Sequence, residues 1–178
     1  MLEWVQSMDE VLILAVQEMR LEVLDPIVKW YTSLGNVGAV WIVGSAALMI
    51  PKSTRTAGKL GFASLALGLL CTNVMLKNLV GRPRPWLAVP ELIPLIEEGD
   101  PNSFPSGHSC AAWASCLAWA LSLNRTWITC LCVGAAVCMA FSRLYLGVHY
   151  PSDVICGSLI GACCALVVWK GYQRNTIG

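Results

Sequence analysis

Two histidines, a set of basic residues and one suitably spaced carboxylate are the groups in this chain that could do chemistry together. His108 and His149 are its two histidines. His149 and Asp153 are four apart with Pro151 between them, which predicts an imidazole at the start of a helix and a carboxylate one turn on. A carboxylate bonded to one ring nitrogen fixes the tautomer and leaves the other nitrogen as a nucleophile. His108 can then be the acid that protonates a leaving oxygen. Each histidine taken singly reads equally well as hydrogen-bonding glue between helices. Lys77, Arg82, Arg84 and Arg143 supply positive charge of the kind that suits a phosphate, Arg as a planar fork and Lys as a compact point charge. Arg82 alone reads as well as an end anchor whose charged head snorkels to the interface. In Ser103-Phe104-Pro105-Ser106-Gly107-His108, Pro belongs in a first helical turn and Gly lets an anion approach unpaired backbone amides. Ser106 and Gly107 are therefore placed to donate to that anion, although Pro-Ser-Gly by itself is also an ordinary loop-to-helix junction.

These groups must be positioned by a very apolar chain. Of 178 residues, 56% are hydrophobic and 13% charged, and the mean hydropathy is +0.62, too apolar for one water-soluble domain. An all-α integral membrane bundle is the expected fold. A net charge of +1 excludes nucleic acid as partner. The nine cysteines fall in apolar runs without a CxxC pair and read as small packing residues, and two histidines leave little to build a zinc site. The N-terminus lacks a basic region followed by a cleavage site and so does not read as a signal peptide.

A spanning helix needs roughly 17 to 25 mostly apolar residues. Five stretches are expected to span, approximately Gly35–Ile50, Lys59–Leu79, Ser106–Leu123, Thr126–Phe141 and Val154–Trp169. Residues 1–25 are expected to form an amphipathic helix on the membrane surface, with a sixth span as the alternative, since Leu2, Val5, Met8, Leu12, Ala15 and Met19 recur at helical spacing among charges. Residues 26–178 form the membrane-embedded domain. With the spans placed, Lys52, Arg55, Lys59, Arg125, Lys170 and Arg174 fall on one side with no acid. All 11 acidic residues fall on the other, together with Arg20, Lys29, Lys77, Arg82, Arg84 and Arg143. The positive-inside rule then places the C-terminus in the cytoplasm and the two histidines at the outer face of the cell membrane.

Three motifs in order, Lys77-x6-Arg84-Pro85, Pro105-Ser106-Gly107-His108 and Ser142-Arg143-x5-His149-x3-Asp153, make residues Leu34 to Trp169 resemble the phosphatidic acid phosphatase type 2 superfamily. The resemblance implies that Lys77, Arg84 and Arg143, with Ser106 and Gly107, bind the transferred phosphoryl group. It implies that His149 attacks phosphorus to form a phosphohistidine, that Asp153 orients it and that His108 protonates the leaving group. It also implies chemistry without metal or other cofactor; to match, Asp153 is expected to stand alone, with Glu91, Glu97, Glu98 and Asp100 in a solvated loop. An outer-face site above an apolar body suits a membrane lipid phosphate, and short bacterial members suggest undecaprenyl or another polyprenyl diphosphate. Phosphatidate or phosphatidylglycerophosphate is the alternative substrate. A non-catalytic lipid-binding bundle is a remote alternative, and the soluble vanadium-dependent haloperoxidases that share the signature resemble this chain in neither length nor polarity.

Overall fold

The long apolar runs all become helix. The structure, a computed structural model, describes residues 2–177, and the nearest thing to a strand among them is one isolated antiparallel bridge between Pro83 and Asn102. Helix α1 is Leu2–Glu18, α2 Asp25–Ser33 and α3 Ala39–Met49, with a 3-10 turn at Asn36–Gly38 before α3. Helix α4, Arg55–Leu69, runs through a π-helical segment, Leu70–Leu76, into the short α5, Lys77–Val80. A one-turn α6, Pro85–Ala88, precedes a long loop, and α7 (Gly107–Leu123), α8 (Thr126–Tyr145) and α9 (Pro151–Ile177) complete the chain.

Helix α7 is the centre of the bundle, enclosed chiefly by α4, α8 and α9. Its sequence explains why: Cys110, Ala111, Ala112, Ala114, Ser115, Cys116, Ala118 and Ala120 are all buried, and side chains this small let neighbouring helices come close. Helix α9 answers with Gly157 and Gly161. A Cβ at Gly157 would lie 2.4 Å from the Ser106 carbonyl oxygen, and one at Gly161 would lie 2.3 Å from that of Cys110. The first turns of α7 and α9 are thereby held side by side, with Ser106 N donating to Asp153 O at 3.0 Å.

Three helical stretches, Arg55–Val80, Thr126–Tyr145 and Pro151–Thr176, are long and apolar enough to cross a membrane individually. A fourth is a bent pair, Asp25–Ser33 with Asn36–Met49, meeting at 46°. The expected span Gly35–Ile50 is thus only the second half of a broken one. The break falls where Val37 (φ 55°) and Gly38 (φ 73°) adopt left-handed backbone, a conformation costly for a β-branched residue. The remaining expected span is α7, whose 17 residues make a rod of about 26 Å, short of the roughly 30 Å hydrocarbon core. Five spans are therefore not reached on length and apolarity alone. Leu131, Val137 and Phe141 of α8 and Ile155, Leu159 and Val167 of α9 face outward, as lipid-covered surface requires, and the protein is a multi-pass membrane protein.

Helix α1 turns its apolar stripe outward. Trp4, Met8, Val11 and Leu12 are exposed, while Asp9 and Ile13 are buried against the bundle. Ile13 packs with Val89, Leu92 and Tyr150, so α1 is docked at the end of the bundle that carries both histidines.

Candidate active site

The loop Leu146–Tyr150 between α8 and α9 carries His149. Gly147 takes a positive φ of 75° there, and Arg20 braces the turn from the N-terminal segment, its Nε donating to Tyr145 O at 2.7 Å and its Nη1 to Ile93 O at 2.6 Å. His149 is 1% exposed. Its Nε2 lies 2.8 Å from Nη1 of Arg84, which also donates to Val148 O at 2.8 Å. A guanidinium can only donate, so Nε2 is the acceptor and the ring proton sits on Nδ1. Burial, and then the positive charges of Arg84, Arg143 and Lys77, push the His149 pKa well below its ordinary value, so the ring is neutral at pH 7.

Asp153, fully buried, stands in the first turn of α9. The expected direct bond to His149 is not made: Nδ1 is 3.7 Å from Oδ2. That oxygen instead accepts from the Tyr150 amide at 2.9 Å and from the Ser103 hydroxyl, and Ser103 Oγ lies 3.4 Å from Nδ1. Ser103 therefore bridges imidazole and carboxylate. The other oxygen, Oδ1, accepts from Arg82 Nη1 at 2.7 Å. Arg82 is thus turned away from Lys77 and Arg84, with which its position in sequence groups it.

Lys77, Arg84, Gly107, His108 and His149 line one cavity of about 560 Å³, whose apolar side is made by Gly35, Gly38, Leu69, Leu70, Val74 and Ala111. Ser106, Arg143 and Asp153 are buried behind it. Ser106 caps α7, its Oγ accepting from the Ser109 amide at 3.4 Å and hydroxyl at 2.9 Å. Because the Ser106 amide is engaged by Asp153 O, its hydroxyl proton and the Gly107 amide are the donors left to face an anion. Arg143, fully buried near the end of α8, donates through Nη1 to Thr32 Oγ1 at 2.6 Å, and its Nε has no partner among the described residues. His108 Nε2 is 3.1 Å from Asn36 Oδ1, in the turn that breaks the first span. Gly35 packs directly against it, and a Cβ there would lie 2.8 Å from His108 Cδ2, so the ring would have to shift.

The acidic loop differs from expectation. Glu98 pairs with Arg143 and reaches Arg84 at 4.0 Å, and Asp100 pairs with Lys77 at 2.5 Å. Arg84 Nε also donates to Asp100 O at 3.0 Å, which folds the loop over the cavity. Two of the four loop acids read as solvated therefore face the cations Lys77, Arg84 and Arg143. The physical reason is charge: three buried or half-buried cations close together are stable only with anions beside them. Bonds from Lys77 and the Asn102 amide hold the Asp100 carboxyl below the usual carboxylate range against the opposing effect of its burial. Ser103 and Arg82 lie within or beside the motifs, but nothing in their spacing tells which way they point. The contacts of Glu98, Asp100 and Asn36 depend on loop paths that have no short-range signal.

The sequence profile of the PAP2 superfamily matches residues 58–177. An undecaprenyl-diphosphatase of Sulfolobus acidocaldarius is 32% identical over 123 residues, 69% of this chain and 59% of that protein. A decaprenylphosphoryl-5-phosphoribose phosphatase of Mycobacterium tuberculosis is 34% identical over 68% of this chain and 64% of its own length. The chain thus spans about six-tenths of these curated relatives. Among solved structures, the PAP2-type phosphatidylglycerolphosphate phosphatase of Bacillus subtilis superposes with a TM-score of 0.79 at 28% identity, over 96% of this chain and 87% of that one. LpxE of Aquifex aeolicus gives 0.77 at 25% identity, over 89% and 93%.

Proposed function

The chain belongs to the PAP2 superfamily, and we propose that it is a membrane lipid phosphatase acting through a phosphohistidine. The observation that carries this is His149: a buried, neutral imidazole with its proton on Nδ1 and Nε2 against Arg84 in a cavity that also holds Lys77 and His108. Phosphoryl transfer asks a protein mainly for positioning and charge neutralisation. Lys77, Arg84 and Arg143, with the Ser106 hydroxyl and the Gly107 amide, hold the phosphoryl oxygens and displace Glu98 and Asp100. Nε2 of His149 bonds to phosphorus as the phosphorus–oxygen bond to the lipid breaks, and His108 gives its proton to the departing oxygen. Water then attacks phosphorus, His108 takes the water's proton, and the phosphorus–nitrogen bond breaks to return neutral His149 and free phosphate. Asp153, through Ser103, balances the charge that the ring carries while phosphorylated.

The substrate is a lipid phosphate or diphosphate, with undecaprenyl or a related polyprenyl diphosphate as first choice and phosphatidate or phosphatidylglycerophosphate as the alternative. The apolar side of the cavity supports an acyl or prenyl tail, and relatives named for polyprenyl phosphates support the first choice. The charge distribution of the connections supports a site open to the extracytoplasmic face with the C-terminus inside. The test is phosphate release by purified protein in detergent containing EDTA, on each of the three lipids. Wild type releases phosphate and His149→Gln does not; equal release by the two removes the proposed nucleophile, and loss of wild-type release in EDTA removes metal independence.

A further inference from the structure

Helix α1 lies outside the matched region, residues 58–177, and no step above uses it. Yet it sends a buried carboxylate toward the catalytic centre. Asp9 is 3% exposed on a helix whose apolar stripe faces outward. Its Oδ2 is 2.7 Å from Arg82 Nη2, and its Oδ1 accepts from the Ser152 amide at 2.9 Å, in the first turn of α9. Gln6 Oε1, one turn earlier, accepts from the same Arg82 nitrogen at 2.5 Å. The other arm of Arg82 donates to Asp153 Oδ1 at 2.7 Å and Ser152 Oγ at 2.8 Å, and the guanidinium lies 3.9 Å above the centre of the Tyr150 ring. Every arm of this arginine is committed, and its two ionic partners are Asp9 and Asp153.

The arrangement is directional. Asp153 divides its two oxygens: Oδ1 accepts from Arg82, and Oδ2 accepts from Ser103 and through Ser103 faces His149 Nδ1. Asp9 prevents Arg82 from closing onto Asp153 as a simple pair, because its own charge draws on the opposite arm of the guanidinium. We propose that α1 is a working part of the catalytic centre: Asp9 and Arg82 are positioning residues that set the orientation of Asp153, and hence of His149, for phosphoryl transfer. The proposal takes His149 as the nucleophile.

A bystander network and a positioning network differ in what they change. Partners that orient a reactive imidazole usually matter about 10- to 100-fold in rate without touching substrate. With the most active lipid of the panel above, Arg82→Ala is expected to lower kcat about 100-fold, and Asp9→Asn about 10-fold, each with KM within about twofold of wild type. Guanidinium ion at tens of millimolar, too dilute to denature, should restore about tenfold of the Arg82→Ala loss, because it returns the missing cation to a cavity already shaped for it. It should leave Asp9→Asn and wild type unchanged. Binding of inorganic vanadate, which occupies the place of the transferred phosphoryl group beside His149, reports the same orientation without turnover: Arg82→Ala should bind it about tenfold more weakly, with recovery in guanidinium. Wild-type kcat and vanadate affinity in both variants would overturn the proposal. So would losses that follow the thermal unfolding midpoint and ignore guanidinium. Activity surviving in His149→Gln would instead overturn the nucleophile assignment, a separate and recognisable failure.

Discussion

Replacing Glu98 by Gln separates the stability of the resting site from its affinity for phosphate. Glu98 neutralises Arg143, which is fully buried, and approaches Arg84, which is 2% exposed. Removing one partner of a buried ion pair typically costs about 3–5 kcal/mol, and because Glu98 is itself 22% exposed, a cost near 2 kcal/mol is the reasonable expectation here. The same interaction has to be given up whenever a phosphate group enters. Its absence in Glu98→Gln should therefore return as tighter anion binding, about 30-fold for 2 kcal/mol. The variant is expected to unfold earlier than wild type in phosphate-free detergent. It should close most of that gap as phosphate rises, since at 100 times its own Kd the variant gains about 2.7 kcal/mol while wild type, with the weaker site, gains about 1 kcal/mol. The assay is thermal unfolding across a phosphate titration, paired with the inhibition constant for inorganic phosphate in the release assay. A variant as stable as wild type, or a phosphate inhibition constant within about twofold of it, would refute the idea that Glu98 holds the place of the substrate.

Ser103→Ala removes the bridge between His149 Nδ1 and Asp153 and is expected to lower kcat about tenfold with little change in KM; a pure KM effect in steady-state kinetics would contradict it. Gly161→Ala puts a Cβ against the Cys110 carbonyl and should cost about 1–3 kcal/mol by overpacking, read as a lower unfolding midpoint in detergent. The His149 pKa is lowered on folding, so below its unfolded value near 6.5 the unfolded chain binds the extra proton. As pH falls below that value, toward the depressed folded one, wild type should lose about 1 kcal/mol of stability per pH unit that His149→Gln does not lose. Equal slopes for the two proteins in unfolding between pH 6.5 and 5 would show that His149 is not held neutral.

What could be read ahead of the structure was the part with local grammar. The motif positions Lys77, Arg84, His108 and His149 do meet in one cavity, because each sits at the end of a helix and the apolar runs between them are long enough to return the chain to the same face. The bend at Gly35–Gly38 was not legible, since its residues extend the apolar run of α3 and only their dihedral angles reveal the break. Arg82 shows the limit at the site. Three basic residues within eight positions look equivalent in sequence, but helix α5, the Gly81 turn and the extended Arg84 send them to different partners: Asp100, Asp153 and His149. Glu98 and Asp100 were misread for the complementary reason. A loop acid is normally solvated, and the charge that recruits these two comes from segments far away in sequence.

The walls of the cavity differ in kind from its floor. The groups assigned to the chemistry stand at the start of α5, at the end of α8, on the first turns of α7 and α9 and on loops pinned by several hydrogen bonds. Half of the apolar lining residues, Val37, Gly38, Leu70 and Val74, come from the two stretches where regular α-helix lapses, the turn at Asn36–Gly38 and the π-helix at Leu70–Leu76. Short 3-10 and π segments of this kind recur at functional sites. Under the proposed function, lipid preference is read by these segments while phosphoryl transfer rests on the others. Exchanging Val37, Leu70 or Val74 between homologues is then the economical way to test lipid preference while the Gly35 and Asn36 contacts to His108 stay in place.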